Sequence, residues 1–211
     1  MPDIDIRQSL IEQMTFAWEF HFTPRMEGLT TEEYLWEPVA DVWTVHAGEN
    51  GEANYADLVY PGPNPAPFTT LAWRMFHMTS FFNTRWSNHF GDGSFDIKQQ
   101  LVRLTADEGM ADLTASYERW HDSLLASSLE RFQQECGPAE GMFSSHPFSD
   151  LVTHINREFI HHAAECNLIR DLYRQKDTLG ESRFTSATIE IKPRLRPESA
   201  CSSVISSAAK G

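Results

Sequence analysis

No stretch of about 18 apolar residues occurs in the 211-residue chain, so the sequence predicts no membrane-spanning helix. Basic side chains are scarce: 17 Lys and Arg stand against 30 Asp and Glu, a formal net charge of -13. A surface of that sign repels phosphate backbones, which argues against nucleic acid and anionic membranes as partners. Cysteine is scarce too. Cys136, Cys166 and Cys201 are odd in number and widely spaced, which argues against a disulfide framework and against a paired-cysteine metal site. GxSxG, phosphate-loop and GxGxxG patterns are all missing. Met1 to Ile6 is acidic and polar and does not read as a secretory signal. These absences lead to the expectation of a cytoplasmic protein that acts on a small molecule.

What is present is helical periodicity. Ile6, Leu10, Met14, Ala17, Trp18 and His21 mark one face of a first helix over about 5–27. Thr30 or Thr31 ahead of Glu32 and Glu33 predicts a short capped turn ending at Pro38. Trp43–Val45 and Leu58–Tyr60 are strand-like runs around a turn at Gly48–Asn54, and predict a loose hairpin or ordered loop. Pro61, Pro63, Pro65 and Pro67 exclude a helix before about Phe68. A second helix over about Thr69 to His89 is apolar almost all round, as a buried helix is, and Gly91 and Gly93 end it.

A capping box, Thr105-Ala-Asp-Glu108, opens a third helix that carries Leu113, Tyr117, Trp120 and Leu124 and extends towards Gly137-Pro138. A fourth runs from Pro147 to about Tyr173. The expected fold is all-α: an up-and-down four-helix bundle over residues 1–175, with a long ordered loop or hairpin between helices one and two. From about Lys176 the pattern fades: Phe184 to Ile191 alternates weakly, Ala200 to Gly211 is Ser/Ala-rich, and residues 176–211 read as a partly disordered tail.

The chemistry concentrates in His154-Ile-Asn-Arg-Glu158-Phe-Ile-His161-His162-Ala-Ala-Glu165. Metal ligands on one helix must share a face, and Glu158 and His162 are an i, i+4 pair. At about 100° per residue, Ile155, Phe159 and Cys166 define the buried side. Glu158 and His162 flank that side, and His161 points outwards. His77 is the best third ligand, because an imidazole in the run Trp73–Phe82 needs a partner.

Two imidazoles and a carboxylate suit Zn, Ni, Fe, Co or Mn. The plainer readings are a hydrogen-bonded core histidine at 77 and an exposed helix face at 158 and 162. His154, His161 and Glu165 read as surface or supporting groups, and Cys166 as a packed, inert thiol.

Pro67–His77 and Pro147–His162, together with Leu35–Pro38 and Trp43–Val45, resemble the DinB-like (YfiT-type) superfamily over about residues 5–175. The resemblance implies a four-helix bundle with a metal held by a histidine of helix two and an HxxxH pair of the last helix. By position these fall on His77, Glu158 and His162, with Glu158 replacing the first histidine of the pair. Characterised relatives are similar to S-transferases that use a low-molecular-weight thiol. The resemblance therefore implies a divalent transition metal, a thiol cofactor and a small-molecule substrate; a homodimer is a separate expectation, tied to the ligand-binding alternative. Arg74, Arg85 and Arg157 are available to bind carboxylates of such a thiol, and His154, Asn156 and His161 to orient it. The alternatives are a metal-dependent hydrolase and a non-catalytic ligand-binding bundle.

Overall fold

The computed structural model describes residues 5–180. Seven α-helices dominate them: α1 (Ile6–Phe16), α2 (Thr23–Met26), α3 (Thr31–Tyr34), α4 (Leu71–Phe90), α5 (Ala106–Ala126), α6 (Leu129–Gln133) and α7 (Phe148–Arg174). The only sheet among the described residues is a hairpin of β1 (Val45–His46) and β2 (Tyr55–Ala56). No described helix is long and apolar enough to cross a membrane. The expected tail, including its run from Phe184 to Ile191, lies outside the described residues, apart from a short 3-10 turn at Lys176–Thr178.

The chain is the expected all-α bundle of four long helices. α1 packs against α5 and α7, and α4 against the same two. Cross-helix contacts fix the directions. Asn156 Nδ2 donates to Leu10 O at 2.8 Å and Asn167 Nδ2 to His21 O at 3.0 Å, so α1 and its continuation run with α7. Arg7 Nη1 donates to Ser127 O, and Trp18 stacks on Tyr117 at 3.9 Å, so α5 runs against α1. His77, Phe82 and Phe90 meet His162, Phe159 and Phe148 in turn, so α4 opposes α7. Asn83 and Trp86 bond to Arg119 and Ser123, so α4 and α5 share a direction, and the order is up-down-down-up rather than the expected up-and-down. Residues 91–105 therefore run back along the bundle, where Gln100 Nε2 donates to Phe76 O.

Phe159, with no exposed surface, sits at the centre among Trp18, Phe22, Phe82 and Tyr117. Tyr117 and Trp120 are core residues, as expected. The caps read from sequence form at Thr30 and Thr105, which accept from the backbone N–H groups of Glu33 and Glu108, and Thr70 caps α4 in the same way by accepting from Trp73 N–H. Gly109, inside α5, lets Tyr34 approach closely. A Cβ there would lie 2.5 Å from the Tyr34 hydroxyl, which donates to Arg103 O.

Three local expectations change. The first helix widens to a π-helix at Ala17–Phe22 before α2. Pro24 has no N–H for Phe20 O and its ring crowds that carbonyl; Thr23 N–H bonds instead to Trp18 O, five residues back. The second strand is Tyr55–Ala56 and not Leu58–Tyr60. Asp57 draws it there: its carboxylate accepts from Thr44 N, and its own N–H donates to Thr44 O. The third helix is two helices, because Ser128 caps α6 by accepting from Arg131 N.

Candidate metal centre

Thr70 fixes the start of α4 two turns before His77. The connector docks on that end: Trp43 N–H donates to Phe68 O, Thr70 N–H donates to Trp43 O, and Trp73 Nε1 donates to Asp57 O at 2.6 Å. Trp73 in turn stacks on His77 with ring centroids 5.2 Å apart, and Phe81 meets the other side edge-on. Aromatic stacking, one turn above and one below, sets the His77 ring. Its third neighbour is His162 of α7, edge-on at 4.7 Å.

One potential ligand atom from each of His77, Glu158 and His162 lies within 4.8 Å of the other two, a group that could hold a metal ion. His162 Nε2 is 3.6 Å from Glu158 Oε2. Two donors bonded to one tetrahedral ion at about 2.1 Å sit roughly 3.4 Å apart, so this spacing matches a shared ion better than a direct hydrogen bond. The donor types fit a divalent transition ion equally well. Burial first, and then the neighbouring His162 and Arg74, push His77 down to about 4. Its ring is therefore neutral at neutral pH and offers a lone pair.

The support around His162 comes from Glu165 and Arg74. His162 Nδ1 lies 2.6 Å from Glu165 Oε2. With Nδ1–H donating there, Nε2 keeps its lone pair for the side facing Glu158, the usual pattern of a carboxylate behind a metal-binding imidazole. Arg74 has only donors, so its Nη1, 3.2 Å from Nδ1, is then a packing neighbour and not a hydrogen-bond partner. Arg74 Nε is 3.1 Å from Glu165 Oε2, an ion pair by distance whose N–H does not point at the oxygen. Burial raises the Glu165 pKa, but the His162 bond and the Arg74 charge outweigh it and hold the carboxyl below the usual range. Glu165 thus stays ionised and neutralised by Arg74, while Glu158 pairs with no Arg or Lys among the described residues.

Other sequence expectations divide. His161 is exposed, with Nε2 3.3 Å from Glu165 Oε1. It could form a second ligand group with His162 and Glu165, but Glu165 is already committed to Arg74. His154 Nδ1 lies 3.6 Å from Glu158 Oε1. Asn156 is fully buried on the opposite side and ties α7 to Leu10 and Gln13 of α1, so it cannot orient a ligand. Arg74 pairs with Glu165, and Arg85 with Glu140, so neither is free for a thiol carboxylate. Burial lifts the Cys166 thiol to about 12, which keeps it protonated and inert. His89 is buried against Glu140, a structural role.

The family model described as DinB superfamily matches residues 20–166, more than half of the chain and all three converging side chains. The chain belongs to the DinB superfamily. No curated protein and no solved structure matches it.

Proposed function

We propose that this protein is a divalent-transition-metal-dependent enzyme that transfers a low-molecular-weight thiol to an electrophilic small molecule. His77, Glu158 and His162 are the ligands in this reading. The observation that carries it is the convergence of three donors from two sequence-distant helices. A divalent ion there supplies Lewis acidity that keeps a thiol deprotonated and nucleophilic at neutral pH. His77 contributes a neutral imidazole, held against rotation by Trp73. Glu165 fixes the proton of His162 on Nδ1. Glu158, whose side chain is 37% exposed, forms the open wall through which substrate enters. The carboxylate also lowers the net charge of the site relative to three histidines, which tempers its acidity.

The test is thioether formation from a thiol and 1-chloro-2,4-dinitrobenzene, with protein stripped of metal and then reloaded. The reading predicts a fall of more than about tenfold on stripping and recovery on reloading. Full activity after rigorous stripping contradicts it. Ester hydrolysis without added thiol would favour a hydrolase. The reading places the reaction in the cytoplasm, in a homodimer whose mass light scattering checks.

A further inference from the structure

A cleft of about 530 Å³ opens between the first half of α7 and the segment before it, with Arg85 of α4 at its wall; Phe143, His146, Asp150, His154 and Arg157 also line it. That volume suits a small ligand. None of His77, Glu158 and His162 lines the cleft, but His154 in its wall stands one turn from Glu158 on α7. His77, Phe81 and Arg85 follow one another at i, i+4 along α4, and the antiparallel α7 presents His162, Glu158 and His154 at the same spacing. His154 belongs to both places: it lines the cleft, and its Nδ1 is 3.6 Å from Glu158 Oε1.

The charges in the cleft are unequal. Arg85 is paired with Glu140, which His89 also binds. His146 stands 3.3 Å from Asp150. Arg157 leans on His154 Nδ1 at 3.4 Å and pairs with no carboxylate among the described residues. The lining holds two guanidinium groups and two carboxylates, and Arg157 is the guanidinium that no described carboxylate reaches. A guanidinium offers a planar fork of donors matched to a carboxylate or phosphate.

We infer that this cleft is the anion-recognition half of the substrate site. Its ligand is a small molecule with an anionic group on Arg157 and its reacting end at His77, Glu158 and His162. The inference rests on the metal-centre reading above. Arg157 touches His154, four residues and so about 6 Å along α7 from Glu158, a separation that a flexible alkyl chain bridges.

The test uses cobalt(II)-loaded protein and two hydroxamates of equal length, suberate monohydroxamate and octanohydroxamate. Only the first ends in a carboxylate. The inference predicts that it binds about tenfold more tightly. Arg157→Gln should abolish that preference, with octanohydroxamate affinity, cobalt content and circular dichroism unchanged. Equal affinity of both probes in the wild type, or a preference that survives in Arg157→Gln, overturns the inference alone. Failure to take up cobalt overturns the metal-centre reading, and this inference with it.

Discussion

His162 Nε2 lies 3.6 Å from Glu158 Oε2, while Nδ1 of the same ring lies 2.6 Å from Glu165 Oε2. One imidazole thus stands between a carboxylate at supporting distance and a carboxylate at ligand-sharing distance. Glu165 is one turn from His162 on α7 and also faces Arg74 of α4. The ring orientation therefore depends on both helices.

The first prediction concerns that support. Glu165→Gln keeps the side-chain shape but no longer favours the Nδ1–H tautomer or balances Arg74. Metal affinity should fall about 10- to 100-fold, the usual effect of losing such a partner. Competition against a chromophoric chelator measures it. An unchanged affinity means that Glu165 does not orient His162.

A second prediction follows from the depressed pKa of His77, about 4 against an ordinary 6.5. Between those values the unfolded chain binds this proton and the folded protein does not. The stability due to neutral His77 is fully present above about 6.5 and is lost as pH falls through 4. At ~1.4 kcal/mol per pH unit of depression, metal-free protein should lose about 3 kcal/mol on this account between pH 7 and 4. His77→Gln should lose less by that amount in urea unfolding. Equal losses contradict the burial of a neutral ring at this position.

The bundle centre carries a third prediction. Phe159→Ala removes the ring shared by Trp18, Phe22, Phe82 and Tyr117. It should cost about 3–5 kcal/mol, by the usual scale for buried aromatic truncation. Phe159 lies beside Glu158 in sequence, so metal affinity should weaken as well. A cost under ~1 kcal/mol would place Phe159 outside the core.

The long helices and their caps were legible because each depends on neighbours within a few residues. Thr30, Thr105 and the 3.6-residue apolar rhythm of α7 are local signals, and helical angles alone placed Glu158 and His162 beside the buried side. What periodicity could not show was pairing across helices. Arg74 looked free for a ligand until α4 met α7 and brought it to Glu165. Asn156 looked like part of the polar stripe, and only the approach of α1 revealed its tie to Leu10.

The shared direction of α4 and α5 was equally hidden, since a return run such as 91–105 carries no pattern of its own. The π-helix at Ala17–Phe22 had a signal in Pro24, whose missing N–H must disturb the turn before it.

The claim on which the account rests is that His77, Glu158 and His162 hold one metal ion. Elemental analysis of the protein purified without chelators, wild type beside His162→Ala, tests it most directly. The account predicts about one equivalent of a divalent transition metal in the wild type and little in the variant. No metal in the wild type, or the same content in both, contradicts it.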